Sequence, residues 1–226
     1  MSMTASEVMA SLFEDSDHPL YSTLSEWVRA DRRFRTFAEQ YRGKIRRKLR
    51  NANDPDARAD LLFELEIGRW LLQETRFEVA YETFDAREGG PDYTVTYRVN
   101  TRFNVEVRHI RARESGQEHV RKLVEIIAAK TRQMPPSAIN LLLVSDGAPP
   151  EDDLTKAAVA LRGLAENKAE EFFTQRGYKN AADFLRQFRH VSAIFCKAER
   201  SLLWTNSLAK HPLPKEIGLA LERLPN

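Results

Sequence analysis

The chain has 226 residues, 42% of them hydrophobic and 30% charged, with nine Gly and ten Pro. That composition excludes a disordered or fibrous polymer and allows one sizeable core, or one domain with an N-terminal appendage. A net charge of +2 is too small to argue for a nucleic-acid partner by itself, so any electrostatic signal has to come from local clustering.

The first 20 residues read as a loosely packed arm with at most one short helix. The start "MSMTASEVMASLFEDSDH" lacks a basic segment followed by an apolar core, so no secretory signal is expected. From Leu20 to Arg50 the pattern is helical, with Phe34, Phe37, Ala38, Tyr41, Ile45 and Leu49 forming one apolar stripe. "NANDPDARAD" breaks it, and Asp54-Pro55 supplies a cap and first turn for the next helix. That helix, about Asp56 to Glu74, is apolar around much of its circumference, as expected of one sandwiched in a core. Three strands follow, "RFEVAYETF", "DYTVTYRV" and "RFNVEVRHI", joined by "DAREGGP" and by a tight turn near Asn100 into an antiparallel meander. A second helix is expected from Gly116 to Gln133, stopping before Pro135-Pro136. "INLLLVSD" is apolar enough for a central strand covered on both faces. After "GAPPEDD" comes a long helical region, 151–187, with a break at Gly177. "HVSAIFCKA" and "SLLWTNS" form a final strand pair, and "PKEIGLALERL" a closing helix. The single cysteine, Cys196, excludes an internal disulfide, fits a reducing cytoplasm, and reads as a small core residue. No run approaches the roughly 18 apolar residues of a membrane span, so a cytoplasmic protein without membrane contact is expected.

The polar residues of the third strand need an explanation. Asn104, Glu106 and Arg108 alternate with Phe103, Val105 and Val107, so the two sets face opposite sides. The wet face of a surface sheet accounts for that pattern cheaply. Fourteen residues upstream, however, Asp92 opens the neighbouring strand, and a hairpin brings it towards Glu106. Two uncompensated carboxylates about 4 Å apart repel by about 4 kcal/mol at an effective dielectric near 20. Either a cation neutralises them, one protonates, or they never meet. A hard divalent ion takes one or two such carboxylates and keeps places for water and phosphate.

The order helix–strand–strand–strand–helix–strand, with "PD" opening the second strand and "EVR" in the third, resembles the PD-(D/E)XK nuclease superfamily and its restriction-endonuclease-like fold over roughly residues 57–146. The resemblance implies an α/β domain with a central mixed sheet and flanking helices. It also implies Mg²⁺- (or Mn²⁺-) dependent hydrolysis of phosphodiester bonds in DNA or RNA. Asp92 and Glu106 match the metal-binding acids. The acid on the first core helix would be Glu64, favoured over Glu66 in "LLFELEIGRW" because it borders the most apolar arc. Arg108 stands where the family has lysine. It keeps the charge needed to stabilise phosphate but not the shape, and it does not deprotonate. A relocated lysine would come from the following helix, where Lys122 is available beside Arg121 and Gln117. A degenerate relative is the alternative, with Arg108 bridging Asp92 and Glu106 in place of a metal: a nucleic-acid-binding or interaction module that does not cut.

Residues 29–50 carry ten Lys or Arg against Asp31 and Glu39, a local excess of +8. Arg42, Lys44, Arg46, Arg47, Lys48 and Arg50 form the densest part, a sequence-independent contact for a phosphate backbone or else a solvated face. The five histidines show no paired metal spacing, although His119 on the second helix is a candidate neighbour of the site. The expected organisation is an arm and basic helical extension over 1–55 and a nuclease-like α/β domain over 56–226, with a nucleic-acid partner; a homo-oligomer is compatible with the sequence.

Overall fold

A computed structural model describes residues 2–83, 90–110, 117–145, 152–198 and 201–225. The expected connections "DAREGGP" and "GAPPEDD", and the helix start at Gly116, fall largely or wholly outside them. The chain divides into two compact units, Met1–Thr75 and Arg76–Asn226.

The first unit is helical: α1 (Ala5–Leu12), α2 (Tyr21–Ala30), α3 (Arg32–Gln40), α4 (Arg42–Asn51) and α5 (Pro55–Leu71). The expected loose arm is a packed helix. A capping box starts α1, with the Glu7 N–H donating to the Thr4 hydroxyl and the Thr4 N–H to the Glu7 carboxylate, and Val8, Met9 and Leu12 are buried. The single helical run expected from Leu20 to Arg50 is three helices. Asp31 takes an extended backbone and its carboxylate accepts the N–H groups of Arg33 and Phe34, so a new helix starts there. The stripe itself survives the breaks, with Phe34, Phe37, Ala38, Ile45 and Leu49 all buried. Asp54 caps α5 through the Ala57 N–H at 2.7 Å, with Pro55 in the first turn as expected. Arg33 donates to the carbonyls of Leu72 and Glu74, and the Arg69 guanidinium lies 5.4 Å from the Trp27 ring. These contacts hold α5 among the N-terminal helices, so the boundary between units falls after α5, whereas residue 55 lies inside the first unit.

The second unit is an α/β domain built on an open six-stranded mixed sheet whose spatial order follows the chain. The antiparallel meander β1 (Phe77–Tyr81), β2 (Tyr93–Tyr97) and β3 (Thr101–His109) is as expected. Helix α6 (Gln117–Thr131) then leads to β4 (Ile139–Ser145), which pairs parallel with β3. Next come α7 (Asp153–Glu166), α8 (Glu170–Thr174) and α9 (Ala181–Phe188) before β5 (Ala193–Lys197), parallel to β4. The region expected as one long helix with a single break is broken twice. Lys168, at φ 53°, follows α7, and Gly177, at φ 81°, follows α8. The closing antiparallel strand β6 (Leu202–Thr205) and helix α10 (Lys215–Glu222) complete the unit. No helix among the described residues is long and apolar enough to cross a membrane.

One sheet face positions the site. Residues from α6, α7 and α9 pack with Leu142 and Val144 of β4 and Ile194 and Cys196 of β5, which makes Cys196 the expected core residue. Register places Asn104, Glu106 and Arg108 of β3 beside Asn140, Leu142 and Val144, on that same face. It is therefore not the wet face of a surface sheet: Asn104 and Glu106 are only 5% and 4% exposed, and Arg108 alone reaches solvent.

Candidate active site

A carboxylate as buried as that of Glu106 has to be compensated. The partner is Lys130, whose Nζ lies 2.5 Å from Glu106 Oε1 while its side chain stays 21% exposed. Lys130 also donates to Gln133 Oε1 at 2.9 Å. The lysine of the following helix that meets Glu106 is Lys130, where Lys122 was the expected candidate. The cause is direction. Because β3 and β4 are parallel, α6 returns antiparallel to β3 and its C-terminal turn comes over the middle of the strand. Lys122 lies eight residues earlier, about 12 Å back along the axis. Arg121 serves the helix surface instead, pairing with Glu118 and Glu125.

Asp92 sits where the β2–β3 ladder ends. Tyr93 pairs with Val105, so one step further Asp92 stands beside Glu106. Its Oδ2 accepts the Val107 N–H at 2.8 Å, taking the place of a main-chain carbonyl, while its own carbonyl accepts the Glu82 N–H at 2.8 Å. Asp92 and Glu106 are therefore brought to neighbouring strand positions, as expected. Asp92 also caps the strand, a duty that needs an acceptor but no charge.

The expected bridge through Arg108 does not form. Arg108 is exposed and its side chain makes no hydrogen bond or ion pair with the described residues, because it lies two residues beyond the part of β3 that Lys130 covers. His119 does not join the site either. It is buried on α6 with Nδ1 2.8 Å from Asp153 Oδ2, tying α6 to the start of α7.

Glu64 belongs to the first unit, where Lys48 Nζ lies 2.5 Å from its Oε1. Both Glu64 and Glu66 are half-buried. Among the described residues no group of three or more His, Cys, Asp or Glu is placed to hold a metal ion. The second unit offers two carboxylates, Asp92 and Glu106, an all-oxygen set of the number and kind a hard divalent ion accepts. Each oxygen that already takes one N–H keeps lone-pair capacity.

On α4, Arg46 and Arg50 both pair with Glu14, at 3.2 and 2.5 Å, and Lys48 holds Glu64. Those two arginines hold the Glu14 carboxyl below its usual value, Arg50 first and Arg46 second. Arg42 donates to the Glu39 carbonyl, Lys44 lies 5.8 Å from the Tyr41 ring, and Arg47 is exposed. At least three of the expected phosphate-binding residues, Arg46, Lys48 and Arg50, thus carry an acidic neighbour inside their own unit.

A hydrogen-bonded ladder that sequence reading missed runs across the same face. The Thr83 and Thr94 hydroxyls are 2.8 Å apart, Thr94 is 3.1 Å from Asn104 Oδ1, and Asn104 Nδ2 donates to Asn140 Oδ1 at 3.0 Å. Its signal was available, since Thr94, Asn104 and Asn140 interrupt apolar strands at matched positions. Comparison with protein-family models, curated proteins and solved structures gave no match to this chain.

Proposed function

We propose that the Arg76–Asn226 unit is a Mg²⁺- or Mn²⁺-dependent phosphodiester hydrolase of restriction-endonuclease-like architecture, acting on DNA or RNA. The observation that carries this reading is the Glu106–Lys130 contact, an acid on the third strand meeting a lysine from the next helix. It supplies a lysine, which "EVR" lacks because Arg108 stands in that place. Asp92 and Glu106 would hold the metal, which when bound supplies charge neutralisation at the scissile phosphate and lowers the pKa of a water. Lys130 would stabilise the charge that develops on the phosphate, and exposed Arg108 would hold the strand by an adjacent phosphate. On α4, Arg42, Lys44 and Arg47 would add sequence-independent affinity.

The test is cleavage of single- and double-stranded DNA and RNA with Mg²⁺ or Mn²⁺ by wild type, Asp92→Asn, Glu106→Gln and Lys130→Met. Asn at 92 keeps an acceptor for the Val107 N–H and removes only the charge, so a fall of about 100-fold or more with the fold retained assigns a role beyond capping. No cleavage of any substrate, or cleavage indifferent to all three changes, refutes the reading.

The Glu106–Lys130 contact also favours a second reading. An ammonium on the acid already does part of what a metal would do, which suits a degenerate module that binds nucleic acid and does not cut. That reading expects salt-sensitive binding, no turnover, and no thermal shift on adding Mg²⁺.

A further inference from the structure

Two residues before Glu106, about 7 Å along the strand, the same face opens into a cavity. It has a volume of about 700 Å³ and is lined by Thr83, Thr94, Arg102, Asn104, Ser137 and His211 among others. No carboxylate is among the lining residues, so the cavity suits neutral or anionic ligands and disfavours cations. Its size falls within the range of small-molecule sites.

Hydrogen-bond direction in the floor follows by elimination. Asn140 Nδ2 faces three carbonyls, those of Pro135, Ala138 and His190, at 2.8, 3.1 and 2.9 Å. The nitrogen of that amide is therefore fixed, and its Oδ1 has to face Asn104. Asn104 must then present Nδ2 to Asn140 and Oδ1 to Thr94. Thr94 spends its one hydroxyl proton on Asn104, so the proton between the two threonines comes from Thr83. At the cavity this leaves a donor, the second N–H of Asn104 Nδ2, with no partner among the described residues, and an acceptor, the Thr83 oxygen, with lone pairs to give. A turn at Glu82, held at φ 44°, ends β1 before Thr83. A donor from Asn104 and an acceptor from Thr83, fixed in one cavity, suit the edge of a nucleobase, which carries both acceptors and donors.

We propose that this cavity takes one base of the substrate strand, unstacked, and reads its edge through Asn104 and Thr83, with exposed Arg102 meeting the adjoining phosphate. This rests on the nucleic-acid reading above and deepens it: the substrate is a single strand, or a duplex from which one base is turned out.

The experiment measures binding of adenosine, guanosine, cytidine and uridine in EDTA, by calorimetry and by amide chemical shifts, with inorganic phosphate as competitor. The expected result is tenfold or greater preference for one base, a loss of about tenfold in Thr83→Val, abolition in Ser137→Trp, and no displacement by phosphate. Thr83 and Ser137 are both exposed, so neither change disturbs the core. Absence of nucleoside binding, equal affinity for all four, indifference to Thr83→Val or Ser137→Trp, or displacement by phosphate would overturn the proposal. Since these measurements need no turnover, binding without cleavage sinks the hydrolase and keeps the cavity. Cleavage without nucleoside binding does the reverse.

Discussion

Lys130→Met isolates the contact on which the functional reading stands. The substitution removes the ammonium 2.5 Å from Glu106 Oε1 and leaves a carboxylate whose side chain is only 5% exposed. A charge so placed either stays ionised at a cost or takes up a proton, and the cheaper route sets the penalty. An ordinary glutamate titrates near 4.3, so holding it protonated at pH 7 costs about 1.36 × 2.7, or about 3.7 kcal/mol. That figure is a ceiling, because water entering the space left by Lys130 stabilises the ionised form. At pH 5 the same ceiling falls to about 1 kcal/mol. Urea denaturation of wild type and Lys130→Met at pH 5, 6 and 7 should therefore show a loss that shrinks as pH falls. Glu106→Gln in the same background should recover most of it, since no charge is then stranded. A loss independent of pH, or a double variant as unstable as the sum of the singles, would show that Lys130 acts through packing and not as the counter-ion of Glu106.

Three further outcomes are expected. The Asp183 carboxyl is held below its ordinary value of 3.8, chiefly by the Lys179 N–H at 2.9 Å, then by Gln187 and Arg186. A depressed acid stabilises the fold above its unfolded value, so stability should fall as pH drops below about 3.8, and Asp183→Asn should flatten that limb of an acid titration followed by circular dichroism. Gly177, at φ 81°, turns the chain out of α8 where a methyl group would run into the Arg132 guanidinium; Gly177→Ala should cost about 1–2 kcal/mol in chemical denaturation, and an unchanged midpoint would refute the strain. Glu14→Ala releases Arg46 and Arg50 from their common partner. If α4 meets a phosphate backbone, affinity for a nucleic acid should rise and the salt slope should steepen by up to about 2; no change in slope would take these two residues out of the interface.

Much of the architecture was legible because it rests on local signals. Strand alternation and a tight turn fix the meander, the Pro-Pro pair ends α6, and the apolar run of "INLLLVSD" marks a strand covered on both faces. The N-terminal region was read less well. A stripe recurring at three or four residues survives when short helices follow one another, so periodicity did not reveal the caps at Asp31 and Tyr41. The packed state of α1 was missed for a related reason, since Val8, Met9 and Leu12 are too few to mark a buried face without a partner surface.

The site was half legible, and the division follows from sheet geometry. Neighbouring strands of a hairpin are related by register, which counting residues approximates, and Asp92 falls one step beyond the Tyr93–Val105 pair, on the side of Glu106. A helix that returns across the sheet is related to the strand by rotation and by where its axis lies, and neither is encoded locally. Lys122 and Lys130 are the same residue type and both lie on α6; the antiparallel return of that helix is what brings Lys130 to Glu106. The same limit hid the burial of the face. Asn104, Glu106 and Arg108 look alike as alternating polar residues, yet the first two are buried and the third is in solvent. A buried polar residue has to find a partner, and both did, Asn104 in the ladder and Glu106 in Lys130. Covered polarity with directed partners is what separates this face from a solvated one, because a sheet that only needed stability would carry apolar side chains at those positions.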